Sequence, residues 1–90
     1  MVLAVDIGNS NIVVGIVSRE KIHFVERIST DHQKTDLEYA MVFKTIMDLY
    51  HMTSEGIKGG IISSVVPPIT ATVNQALTKI IGKPALVVGP

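Results

Sequence analysis

Residues Val2–Gly15 read VLAVDIGNSNIVVG: an apolar run, an aspartate, a glycine with three small polar residues, and a second apolar run. Val2–Val5 is continuously apolar, the pattern of a strand covered on both faces. Asn11–Val17 is a second such run. Gly8-Asn9-Ser10 between them is turn chemistry, because Gly and Asn reach positive φ at little cost. Two apolar runs joined this tightly predict an antiparallel hairpin, with Asp6 at the carboxyl end of its first strand.

Beyond this hairpin, Ser18-Arg19-Glu20 makes a short turn. Lys21–Ile28 then sets Ile22, Phe24 and Ile28 against Lys21, His23 and Arg27, which predicts a half-exposed third strand. Ser29–Lys34 is polar loop. Thr35-Asp36-Leu37-Glu38 is a capping box, and Leu37, Ala40, Met41, Phe43, Met47 and Tyr50 follow at helical spacing, so a helix runs to about His51. Lys58–Ser63 predicts a fourth strand. Pro67-Pro68 opens a second helix whose buried stripe is Ile69, Val73, Ala76, Leu77, Ile80 and Ile81, with Lys79 and Gly82 as its stop signals. Ala85–Val88 is a fifth strand, before Gly89-Pro90. The expected fold class is α/β: β-β-β-α-β-α-β, a five-stranded mixed sheet with two main helices.

Composition narrows the function. Ninety residues form one small domain, and an apolar share near half supplies its core. Eight basic and eight acidic residues cancel, which argues against nucleic acid, whose binders carry a basic patch or stripe. No polybasic run or membrane-length apolar stretch occurs, so no membrane partner is expected. The absence of cysteine excludes disulfides, thiolate metal sites and a catalytic thiol, and it suits a cytoplasmic protein. His23, His32 and His51 are widely spaced, with no metal-ligand pattern.

Two readings of the opening turn stand side by side. In the structural one, Gly-Asn simply closes a hairpin and Asp6 satisfies turn amides. In the functional one, backbone amides converge into an anion-binding nest and Asn9, Ser10 and Asn11 add short donors. Asp6 then lies where open α/β sheets bind ligands, at the carboxyl ends of strands. A magnesium ion suits a single carboxylate, because it keeps several waters and takes phosphate oxygens as its other ligands. The stretch is neither a Walker loop nor a dinucleotide fingerprint.

The strand order with DIGNSN at its first hairpin resembles one half of the actin, sugar-kinase and heat-shock-chaperone superfamily, with an RNase H-like domain. Within it, the sequence is most similar to type III pantothenate kinases, also described as Bvg accessory factor-like proteins. The resemblance is carried by Asp6–Asn11, Thr30-Asp31, Lys34-Thr35, Glu38-Tyr39, SSVVPP at Ser63–Pro68 and LVVGP at Leu86–Pro90. Ser10 stands where the family usually has threonine, which keeps the hydroxyl. Asp36-Leu37-Glu38 departs slightly from the more acidic family form.

The resemblance implies ATP-dependent phosphorylation of pantothenate, the entry to coenzyme A synthesis, with Mg2+ and a monovalent cation such as K+ or NH4+ as cofactors. It also implies a cytoplasmic homodimer. The family chain continues past Pro90 into a second similar domain, whose Gly-x-Asp-Arg segment holds the general base. Residues 1–90 are therefore expected to be the nucleotide-binding N-terminal half-domain, with no catalytic base of their own and no activity alone. The nucleotide-binding residues would be Asp6, Ile7, Gly8, Asn9, Ser10, Asn11, Ile12 and Val13. Asp6 positions the metal and phosphate, Gly8 allows close backbone approach, and Ile7, Ile12 and Val13 form walls.

A Bvg accessory factor-like transcriptional regulator without kinase activity is the alternative, as is a dimerisation module built on the Asp36–His51 helix. An intact Asp6 and Gly8–Asn11 turn favour the enzyme. Ser63 and Ser64 read first as a strand-end turn and second as ligand contacts. Arg27 and Lys34 read as solvated charges, and Met41, Met47 and Met52 as core or interface filler.

Overall fold

Burial alternates residue by residue along the first strand. Leu3, Val5 and Ile7 are almost wholly enclosed, while Val2, Ala4 and Asp6 are not. That alternation follows from the topology. The computed structural model describes residues 1–89, in the order β1 (Val2–Ile7), β2 (Asn11–Val17), β3 (Ile22–Ser29), α1 (Asp36–Leu49), β4 (Gly59–Ser64), α2 (Pro67–Ile81) and β5 (Leu86–Val88). The β-β-β-α-β-α-β order is the expected one. A 3₁₀ turn at Ser54–Gly56, which no sequence signal announced, precedes β4. Pro90, the end of the LVVGP segment, lies outside the described residues.

The sheet runs β3-β2-β1-β4-β5. β1 pairs antiparallel with β2 and parallel with β4, β2 pairs antiparallel with β3, and β4 pairs parallel with β5. Both crossovers, β3-α1-β4 and β4-α2-β5, travel the same way across the sheet. Right-handed connections therefore put both helices on one face. The expectation that β1 is covered on both faces is thus corrected: within this chain its second face is open. There Ala4, Val13, Val25, Ile61 and Val88 help line a shallow depression of about 380 Å3.

The core fills the space between the covered face and the helices. β1 and β2 contribute Leu3, Val5, Ile7, Ile12, Val14 and Ile16; α1 contributes Tyr39, Phe43 and Met47; α2 contributes Val73 and Leu77. Each such side chain contributes about 1.5–3 kcal/mol through burial. The α1 stripe is rotated from the expected one. Tyr39, Ala40, Phe43, Ile46 and Met47 face the core, while Leu37 and Met41 are more than half exposed. The apolar residues at successive α1 turns fit two overlapping stripes, and the larger rings of Tyr39 and Phe43 occupy the buried one. A register shift between Ile16 and Val17 likewise turns Ile22 outward, 64% exposed, although it was expected to share a face with Phe24.

Helix ends follow their capping chemistry. Thr35 accepts from the Glu38 amide at 3.2 Å, and Glu38 Oε1 accepts from the Thr35 amide at 2.9 Å, completing the capping box. Pro67 and Pro68 occupy the first turn of α2, and Gly82 ends it in the left-handed region at φ 80°. No helix among the described residues is long and apolar enough to cross a membrane.

Candidate functional site

The β1–β2 hairpin places Asp6 and the Gly8–Asn11 turn at one end of the sheet. Asp6 is on the open face, exposed, flanked by Val13 of β2 and Ser63 of β4 in the strand register. It has no salt-bridge partner among the described residues. With Ser63 it supplies, among the described residues, the polar side chains that line the open-face depression. Apolar Val13 on one flank and the serine hydroxyl of Ser63 on the other leave this exposed carboxylate without a charged partner among the described residues.

The turn itself departs from the expected backbone. Among the described residues only His51 and Gly82 have positive φ, so neither Gly8 nor Asn9 uses the left-handed region. The physical need for glycine at position 8 is space. A Cβ there would lie 3.1 Å from the Asn11 carbonyl, where the Gly8 amide already donates at 2.8 Å. That is tighter than ordinary van der Waals contact, so a side chain there would require the Asn11 carbonyl to give by a few tenths of an ångström.

Asn9, Ser10 and Asn11 are exposed, and the backbone amides of Asn9 and Ser10 meet no acceptor among the described residues. Exposed, unpartnered amides at a tight turn are the raw material of an anion site. The start of α2 cannot compete for that role. Pro67 and Pro68 carry no N–H, and the amides of Ile69 and Thr70 both donate to the Val66 carbonyl. Of these two features, only the hairpin turn has unpartnered backbone amides among the described residues.

Of the other expected residues, Ile7 and Ile12 point into the core with no exposed surface, so they border the site only through their backbone. Val13 lies on the open face beside Asp6. The serine pair divides. Ser64 is buried and its Oγ accepts from the Val66 amide at 2.9 Å, the structural role; Ser63 faces outward beside Asp6. Lys34 bridges to Asp31 at 3.4 Å, and Arg27 is exposed at the sheet edge. Asp31 is held below the usual carboxylate range, first by the Gln33 backbone amide and further by Lys34. Among the described residues no three acidic or imidazole side chains converge, so a cation here would take at most two such side chains from this chain.

The sequence reading missed what holds the turn in place. Thr30, just past β3, donates its hydroxyl to the Gly8 carbonyl at 2.7 Å and its amide to the Ser10 carbonyl at 3.0 Å. The pairing of Asn11 with Ser29 in adjacent strands was the available signal, since it sets Thr30 next to Ser10.

A family model described as type III pantothenate kinase matches residues 2–90. The chain belongs to this family. It is 41% identical over 90 residues to a type III pantothenate kinase of Brevibacillus brevis, covering 100% of this chain and 35% of that one. Relatives of the same description from Exiguobacterium and Moorella thermoacetica are 39% and 36% identical over 90 residues, with the same coverage. The chain thus spans about a third of the length of the curated relatives it matches.

Proposed function

We propose that this chain is the nucleotide-binding N-terminal half-domain of an ATP-dependent pantothenate kinase. The observation that carries the reading is the hairpin end. An exposed, unpaired Asp6 stands next to a turn whose tip amides have no acceptor within the described residues. Phosphoryl transfer depends chiefly on holding phosphates in place and neutralising their charge. The turn amides and the Asn9, Ser10 and Asn11 side chains bind phosphate oxygens, and Asp6 orients the cation that accompanies them.

Magnesium fits this donor set, because one exposed carboxylate with room for water matches its preference for retained waters. When bound, it neutralises phosphate charge. A monovalent cation such as K+ or NH4+ belongs to the same reading, as do a cytoplasmic location and a homodimer. Sedimentation as a monomer at micromolar concentration would contradict the dimer. The acceptor alcohol and its general base are assigned to a second domain of the full-length protein, so residues 1–90 alone are inactive in this reading.

The test is pantothenate-dependent ADP release with ATP and magnesium, run on this chain beside the full-length protein that contains it. Turnover by the longer chain alone supports the proposal. A folded full-length protein without turnover refutes it, and turnover by residues 1–90 refutes the placement of the base.

A further inference from the structure

Hydrogen bonds from one side chain and its own amide decide which way the turn's peptide planes face. In a trans peptide the C=O and the following N–H point in opposite directions, and the described residues contain no cis bond. The Thr30 hydroxyl holds the Gly8 carbonyl at 2.7 Å, so the Asn9 N–H is turned to the opposite side. The Thr30 amide holds the Ser10 carbonyl at 3.0 Å, so the Asn11 N–H is turned the same way, off β3. Both carbonyl oxygens, which would repel an anion, are thereby withdrawn from the side to which the amides point.

Thr30 is itself fixed from behind. Tyr39, with no exposed surface, donates its hydroxyl to the Asp31 carbonyl at 2.7 Å and accepts from the Asp31 amide at 2.9 Å. The Asp31 carboxylate in turn accepts from the Gln33 amide at 2.8 Å. The chain of contacts runs from the core of α1, through the Asp31 backbone, to Thr30 and the turn.

We infer that Thr30 is a positioning residue for nucleotide phosphate: it touches no substrate, and it aims the Asn9 amide at the anion while holding the Gly8 and Ser10 carbonyls away from it. This rests on the nucleotide-binding reading given above. It assigns to a hydroxyl outside the DIGNSN segment the preorganisation of that segment.

The test uses the full-length protein and three forms: wild type, Thr30→Val, which keeps shape and removes the hydroxyl, and Thr30→Ser, which restores it. Thr30→Val is expected to raise the KM for ATP about fivefold to tenfold, the worth of one orienting hydrogen bond. The KM for pantothenate stays near wild type, stability falls by no more than about 1 kcal/mol, the worth of the one bond lost, and Thr30→Ser returns the ATP KM to within about twofold. In amide NMR titrations with magnesium ADP, the Asn9 resonance shifts in wild type and responds weakly in Thr30→Val. An unchanged ATP KM in Thr30→Val overturns the inference while leaving the nucleotide reading standing. So does a loss of stability with the KM intact, or a failure of serine to rescue. A folded wild type that neither binds ADP nor turns over ATP overturns both.

Discussion

Replacing Tyr39 by phenylalanine isolates the contribution of one hydroxyl. The ring stays in the core beside Phe43, at a centroid distance of 5.9 Å, so the apolar burial is unchanged. What is lost is the pair of hydrogen bonds, 2.7 Å and 2.9 Å, to the two backbone groups of Asp31. Each bond contributes about 1 kcal/mol net, and the half-buried Asp31 groups are left without their partner, so the variant should lose about 2 kcal/mol. For a domain of this size that is a fall of about 8–16 °C in thermal midpoint. In urea, with a slope near 1 kcal/mol per molar, the midpoint should drop by about 2 M with the slope unchanged. A shift below about 0.5 kcal/mol, the range of an ordinary surface substitution, would refute the claim that Tyr39 anchors the loop after β3.

Other perturbations follow from the same contacts. In Gly15→Ala the new Cβ would sit 2.7 Å from the Phe24 carbonyl, a backbone group fixed in the β2–β3 ladder, so stability should fall by about 1–3 kcal/mol in urea denaturation. Asp31 and Glu38 are both lowered, chiefly by the backbone amides of Gln33 and Thr35. A depressed carboxylate stabilises above its ordinary value and loses that contribution as pH falls through its folded value. Stability should therefore decline below the ordinary 3.8 and 4.5, and an Asp31→Asn, Glu38→Gln double variant should flatten that limb in a pH series of urea midpoints. Tyr50 has the opposite sign. Its hydroxyl donates to Glu26, which raises it above its ordinary 10.0, so its contribution is present below that value and disappears as pH rises through the raised one. Tyr50→Phe should remove that alkaline loss.

Element order was legible because the punctuation is local. The capping box at Thr35, the paired prolines at 67 and 68, and Gly82 each mark a boundary through its own chemistry. Which face an element buries is not local. Leu37 and Met41 lie as well on a helical stripe as Tyr39 and Ile46, and only packing against the sheet separates them. The open face of β1 depends on the direction of two crossovers, which an apolar run cannot encode. At the site, the residue types of the hairpin turn were readable, whereas the reason for Gly8 was not. Turn statistics suggest backbone freedom, but the structure requires room for the Asn11 carbonyl. The hold of Thr30 on the turn was not legible because its contact with Gly8 spans 22 positions and arises only when β3 pairs with β2.

The central claim is that Asp6 serves the nucleotide and not the fold. Its side chain is exposed and without a salt-bridge partner among the described residues, so Asp6→Asn should leave stability within about 0.5 kcal/mol of wild type. The decisive measurement is kcat for pantothenate-dependent ADP release by the full-length protein carrying Asp6→Asn, alongside its thermal midpoint. A fall of about 100-fold or more at an unchanged midpoint is the predicted result, in line with removing one fixed group that stabilises transferring charge. A variant that keeps wild-type turnover would contradict the assignment of Asp6 and of the hairpin beside it.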